Sequence, residues 1–121
     1  MVTLSRCVGQ CLVAAEQLKS KYGVEVEVIN LRSIKPMDVE AIVNSVKKTG
    51  LMMAVESGFP MFGVGAELIA LTCEYAFDYL DAPPVRMTGA EVPTPYAAKL
   101  EEMAFPTEQL IVDYAAKLLK V

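Results

Sequence analysis

One stretch of this sequence has the residue types and spacing of a ligand-binding loop: ESGFPMFGVGAE, from Glu56 to Glu67. Three glycines, Gly58, Gly63 and Gly65, follow an apolar run and precede a helical pattern. Backbone N–H groups gathered at the start of a helix can bind a phosphate because they add to the positive end of the helix dipole. The same glycines could instead let two surfaces pack closely.

The loop matches a phosphate-binding fingerprint only in part. Gly63 and Gly65 stand at the first two glycines of G-x-G-x-x-G, but Leu68 takes the place of the third. Two carboxylates, Glu56 and Glu67, bracket the loop, and each would repel a nearby phosphate by ~1 kcal/mol or more. The pattern therefore favours close packing, with a subunit interface as one form of it, over a phosphate site.

Other catalytic and ligand-binding patterns are missing. The chain has no histidine, the usual base near neutral pH. Cys7 and Cys11 would share a helix face, but zinc sites use four ligands, so we expect two buried helix residues. Arg86 could bind an anion, although we expect it to pair with a carboxylate such as Glu91. We therefore predict no catalytic, cofactor-binding or metal-ligating residue.

Composition excludes several classes of function. The net charge is −4 and the pI is about 4.8, without a concentrated basic patch, so we expect binding neither to nucleic acid nor to a membrane surface. Apolar residues make up 54% of the chain, which suits a sheet covered on both faces. Three cysteines without a framework spacing indicate a reducing compartment. The first residues show no signal or transit peptide.

Strand and helix patterns alternate along the chain. We predict strands at 2–5, 24–31, 51–57 and 83–89, and helices at 6–22, 38–48, 63–77 and 107–119, with a short helix or turn within 92–103. Gly23 should end the first long helix and Asp38 should cap the second. Alternation of this kind predicts one three-layer α/β/α domain over 1–121, with a mostly parallel sheet. Four methionines are expected to fill the core: Met37, Met52, Met53 and Met61.

Several stretches in order closely resemble one family. VEVEVINLRSIKPMD (24–38), VESGFPMFGVGAE (55–67) and LDAPPVRMTGAEVPTPYA (80–97) are similar to the C-terminal domain of pyruvate dehydrogenase β subunits. The resemblance covers nearly the whole chain. In the related branched-chain 2-oxo acid dehydrogenase β subunits, a histidine usually stands at the position of Tyr96. This residue therefore favours the pyruvate enzyme over the branched-chain alternative.

The resemblance implies the transketolase C-terminal fold, with four parallel strands here in the order 2-1-3-4. It also implies a fifth, antiparallel edge strand, which this chain lacks. The parent reaction would be the oxidative decarboxylation of pyruvate, with reductive acetylation of a lipoyl group, leading to acetyl-CoA. Thiamine diphosphate and Mg²⁺ would be bound elsewhere in the parent enzyme. The expected location is the mitochondrial matrix in a eukaryote and the cytoplasm in a bacterium.

The resemblance also implies the partners. These are the α subunit, a second β subunit in an α2β2 tetramer, and the subunit-binding domain of dihydrolipoyl acetyltransferase. Asp81 and the terminal carboxylate on Val121 would accept basic side chains of that domain, although Asp81 alone fits a simple turn before Ala-Pro-Pro. Subunit contacts would involve the glycine loop at Gly58, Phe62, Gly63 and Gly65. The rival hypothesis is a free-standing ligand-binding domain that uses Arg86 and the Gly63/Gly65 turn.

Overall fold

Four parallel strands form the centre of the fold in the computed structural model, which describes residues 1–121. They are β1 (Val2–Thr3), β2 (Ile29–Asn30), β3 (Met53–Val55) and β4 (Val85–Met87), in the order β2-β1-β3-β4. The helices are α1 (Cys7–Tyr22), α2 (Val39–Thr49), α3 (Val64–Ala76), α4 (Ala98–Met103) and α5 (Glu108–Leu119), and a 3₁₀ helix (Phe77–Tyr79) follows α3. The predicted α/β class and strand order are confirmed.

Both faces of the sheet carry a hydrophobic core, because strand residues point alternately to opposite sides. On one side, Met53 and Val55 pack against α1 and α5, whose buried residues include Cys11 and Ile111. On the other side lie the buried residues of α2 and α3 together with their strand neighbours, namely Val2, Leu31, Ile42, Val46, Met52, Ala54, Leu68 and Ala76. β3 is buried throughout, which explains its uninterrupted apolar sequence.

Local signals set the helix ends where the sequence predicts them. The Asp38 side chain accepts a hydrogen bond from the backbone N–H of Ala41 at 3.0 Å and so caps α2. Gly23 ends α1 with a φ of 68°, a left-handed conformation that suits glycine. Gly50 ends α2 in the same way, with a φ of 71°.

The strands are shorter than predicted. The apolar run 24–31 contributes only Ile29–Asn30 to the sheet, 51–57 only Met53–Val55, and 83–89 only Val85–Met87. A strand exists where a neighbour supplies ladder hydrogen bonds, and β1 offers just Val2 and Thr3 to β2. The other side of β2 has no partner strand in this chain. The length of the apolar run is therefore a poor guide to the length of the ladder.

Most core predictions hold, with one exception. Cys7 and Cys11 are buried as expected, at 1% and 0% exposure, and so are Met52 and Met53. Met61, predicted to fill the core, is instead 68% exposed on the glycine loop. None of the helices combines the length and the apolar character needed to cross a bilayer.

Candidate functional site

The glycine loop is organised around the carboxylate of Glu56, which lies at the end of β3 and is only 6% exposed. Its Oε1 accepts a hydrogen bond from the backbone N–H of Gly65 at 2.7 Å, and its Oε2 accepts one from Val64 at 3.1 Å. These two amides belong to the first turn of α3, where the helix dipole favours a negative charge. Glu56 therefore caps the helix from the preceding strand.

The three glycines make room for this carboxylate. A Cβ on Gly65 would lie 2.8 Å from Glu56 Oε1, and one on Gly58 would lie 3.1 Å from Oε2. A Cβ on Gly63 would overlap Oε1 and the carbonyl oxygen of Phe59. The close approach predicted from the glycines thus exists within the chain itself. Because Glu56 already uses the amides that a phosphate would need, the loop is not a phosphate cradle.

Arg86, on β4, holds the same loop and does not form the predicted pair with Glu91. Its guanidinium donates a hydrogen bond to the carbonyl oxygen of Pro60 at 2.7 Å. The two ion pairs of the chain lie elsewhere, between Lys19 and Glu25 and between Lys48 and Glu27. With the amide of Gly89 donating to Gly58 O at 2.9 Å, the loop is tied to β4 at two points.

This anchored loop presents a large apolar surface at the carboxyl edge of the sheet. Phe62 is 97% exposed and has a φ of 58°, a left-handed conformation that is uncommon for a bulky residue. A hollow of about 230 Å³ lies between Phe59 and Val92. The exposed large apolar side chains of residues 59–62 and 92–103 are Phe59, Met61, Phe62, Val92, Tyr96, Leu100 and Met103. Apolar surface of this extent is typical of a protein–protein contact.

The four predicted interface residues therefore differ in position. Phe62 and Gly58 lie at the surface, Gly63 is half-buried, and Gly65 is buried beneath the loop. Phe62 offers contact area, whereas Gly63 and Gly65 shape the loop that carries it.

Asp81 and Val121, the two predicted docking acceptors, lie at the opposite edge of the sheet. The Asp81 amide donates to Gly50 O at 2.8 Å, and its exposed carboxylate lies over Gly50, where no Cβ could fit. The Val121 amide donates to Ala116 O at 3.1 Å and closes the end of α5. A hollow of about 280 Å³ separates these two regions, with Thr49 and Leu51 on one side and Leu118 and Leu119 on the other.

The described side chains do not form a centre for bond-making or metal binding. No group of three or more Cys, Asp or Glu side chains could hold a metal ion. Burial raises the pKa of Cys11 to about 11 and also raises the pKa of Cys7. Both thiols are therefore protonated near neutral pH, where a thiolate would be the reactive form. Neither the diphosphate nor the Mg²⁺ of thiamine diphosphate finds a fitting set of donors here.

Comparison with protein families now defines the class. Residues 1–111 match the family model described as "Transketolase, C-terminal domain". The chain therefore belongs to the transketolase C-terminal domain family. A solved structure named "Split gene transketolase, inactive beta4 tetramer" superimposes on 98% of this chain and 38% of its own, with a TM-score of 0.83 at 24% identity. That likeness supports the fold.

Curated relatives narrow the family. The chain is 78% identical over its whole length to "Pyruvate dehydrogenase E1 component subunit beta, mitochondrial" of Chaetomium thermophilum, of which it spans 32%. Proteins of the same name from Saccharomyces cerevisiae and Homo sapiens are 57% and 52% identical, and the chain spans 33% and 34% of them. The chain thus spans about a third of the curated relatives it matches. The predicted resemblance is confirmed, and the branched-chain alternative is not favoured.

Sequence reasoning missed two features of these surfaces. Glu56 was expected to repel a ligand, but it acts as the cap of α3. Its position directly after an apolar strand and before a glycine-rich turn was the available signal. The exposed aromatic rings of Tyr75, Phe77 and Tyr79, which come shortly before Asp81, drew no prediction because alternating aromatic and acidic residues look like an ordinary helix end.

Proposed function

We propose that this chain is the C-terminal assembly and docking domain of a mitochondrial pyruvate dehydrogenase β subunit. The observation that carries the proposal is the 78% identity over the whole chain to a β subunit of that name. The parent enzyme would decarboxylate pyruvate with thiamine diphosphate and Mg²⁺ and transfer the acetyl group to a lipoyl group. The location would be the mitochondrial matrix, in keeping with the names of the relatives.

In this proposal the domain contributes binding rather than bond-making. The absence of a group of metal-ligating side chains and the protonated, buried thiols support this division. The 121-residue chain alone should therefore not decarboxylate pyruvate. Release of CO₂ by the purified chain, above that of a denatured sample, would contradict this part of the proposal.

The carboxyl edge of the sheet would pack against the α subunit or the second β subunit. Two hydrogen bonds to the loop, from Arg86 to Pro60 and from Gly89 to Gly58, support this assignment because they fix the loop before assembly. A surface ordered in advance loses little conformational entropy on binding. Phe62 would be the main anchor, since its ring is 97% exposed and contributes a large apolar area.

The opposite edge would dock the subunit-binding domain of a dihydrolipoyl acetyltransferase. Asp81 and the carboxylate on Val121 would accept charge-assisted hydrogen bonds from arginine or lysine side chains of that domain. The support from the structure is that the Asp81 carboxylate is exposed and its backbone is tied to Gly50 at 2.8 Å. Fixed negative acceptors also speed the encounter with a basic partner.

Calorimetric titration tests the docking assignment. The variant Asp81→Asn is made in the full-length subunit, co-expressed with its α subunit, and titrated with the isolated subunit-binding domain. Binding should weaken by about 10-fold or more and depend less on salt, because one charge-assisted contact is lost. The control Glu16→Gln removes an exposed carboxylate from α1 and should bind normally. Equal binding by both variants would remove Asp81 from the docking site.

A further inference from the structure

The segment from Glu74 to Asp81 exposes three aromatic rings next to three carboxylates. Tyr75, Phe77 and Tyr79 are 53%, 66% and 51% exposed, and the sequence EYAFDYLD contains no lysine or arginine. The neighbouring helix α3 buries Leu68, Thr72 and Ala76 instead, so the rings belong to its outer side. Exposed rings grouped in this way have no role in the core of the chain.

The segment is held in place by α2. The Nζ of Lys47 lies 5.2 Å from the centroid of the Tyr79 ring, which places a cation over an aromatic face. Two residues later the amide of Asp81 donates to Gly50 O at 2.8 Å. A hydrogen bond of 3.1 Å from Leu80 N to Phe77 O closes the turn between them. The rings therefore occupy fixed positions beside the proposed docking carboxylate.

The chemistry of this surface selects a cationic partner. The face of an aromatic ring carries negative charge density and attracts a guanidinium or an ammonium group. Carboxylates beside the rings add acceptors, and arginine can stack on a ring while its N–H groups bind a carboxylate. The Lys47–Tyr79 contact is an example of such an interaction within the chain itself.

We propose that Tyr75, Phe77 and Tyr79, together with Asp81, form one aromatic and acidic surface that binds arginine side chains of a basic partner protein. The proposal rests on the proposed docking function and extends its site from one carboxylate to a stacking surface. Phe77 is the free ring with the largest exposure in the segment, whereas Tyr79 already carries Lys47. The occupant is the same basic subunit-binding domain, and its arginines supply the cations.

The test compares a leucine and a tyrosine at the same position. Phe77→Leu keeps an apolar side chain but loses the ring face, whereas Phe77→Tyr keeps the ring. Both variants are made in the full-length subunit, co-expressed with its α subunit, and titrated with the subunit-binding domain of a dihydrolipoyl acetyltransferase. A cation over a ring in a contact that excludes water corresponds to about 5- to 30-fold in affinity. We expect Phe77→Leu to lose that factor and Phe77→Tyr to bind within about twofold of the wild type.

Three further samples separate the possible failures. Tyr79→Leu should also weaken binding, and Tyr96→Leu, a fully exposed ring at the other edge of the sheet, should not. Thermal unfolding confirms that each variant is folded. If Asp81→Asn loses binding while Phe77→Leu and Tyr79→Leu bind normally, the aromatic surface is refuted and the docking function stands. If the wild type does not bind the domain, the docking function fails and the aromatic surface fails with it.

Discussion

The buried carboxylate of Glu56 allows a sharp prediction about stability. Glu56→Gln keeps the shape of the side chain but removes its charge and one of its two acceptors. One amide in the first turn of α3, that of Val64 or Gly65, then faces an NH₂ group and loses its hydrogen bond. An unsatisfied buried amide costs about 1–3 kcal/mol, and the lost charge at the helix N-terminus adds about 1 kcal/mol. The expected loss is therefore about 2–4 kcal/mol in the free energy of unfolding.

Urea unfolding followed by far-UV circular dichroism measures this loss. The matched control is Glu67→Gln, because Glu67 lies in the same first turn of α3 but its side chain is exposed. That control loses only a screened charge and should cost under ~1 kcal/mol. The reasoning is refuted if Glu56→Gln costs less than about 0.5 kcal/mol, or if the two variants are equally stable.

A second variant tests whether the carboxylate stands where an anion could bind. Glu56→Ala exposes the amides of Val64 and Gly65 and leaves space between three glycines. Sulfate should then raise the stability of this variant more than that of the wild type, since a ligand that binds only the folded state stabilises it. An equal response to sulfate in both proteins would show that the vacated position is not an anion site.

Two other predictions concern glycine and cysteine positions. Gly65→Ala should destabilise the fold by about 1–3 kcal/mol, because its Cβ would lie 2.8 Å from Glu56 Oε1, whereas Gly9→Ala should stabilise it by about 0.5–1 kcal/mol, because nothing lies within 4 Å of that Cβ in helix α1. Urea unfolding of both variants checks this pair, and a shift of the same sign in both would contradict it. The pKa of Cys11 is about 11 in the folded protein, above its usual value of 9.0, so the unfolded chain loses this proton first and stability falls as pH rises from about 9 to 11. Between pH 8 and pH 10 the contribution is about 1 kcal/mol, measured as the difference between wild type and Cys11→Ala; the control Cys73→Ala, at an exposed thiol, should keep the wild-type pH dependence.

The parts of the fold that depend on neighbouring residues could be predicted from the sequence. Asp38 caps α2 and Gly50 ends it, because a cap needs only side chains and backbone a few residues apart. The alternation of strands and helices likewise follows from hydrophobic periodicity. The extent of β2 could not be predicted, since its ladder depends on β1, which lies far away in the chain and offers two residues.

The sites divide in the same way. The glycines at 63 and 65 pointed correctly to a close approach, but the group that approaches is a side chain of the preceding strand. Only the three-dimensional arrangement brings the Glu56 carboxylate to the amides of α3. Asp81 carried no signal beyond that of a turn, and its proposed role came from the resemblance alone. Arg86 binds a backbone carbonyl, an acceptor that every residue offers and that no sequence pattern reveals.

The two edges of the sheet are used in opposite ways. In open parallel sheets, ligands bind at the carboxyl ends of the strands, where helix N-termini offer free amides. Here the amides at the start of α3 are satisfied by Glu56, and Arg86 ties the loop above them, so that edge presents an apolar protein surface rather than a ligand site. Charge suited to a basic partner is instead exposed at the amino edge, at Asp81 and the aromatic segment before it. A domain that has filled its own anion site can therefore still bind at both ends, provided that both ligands are proteins.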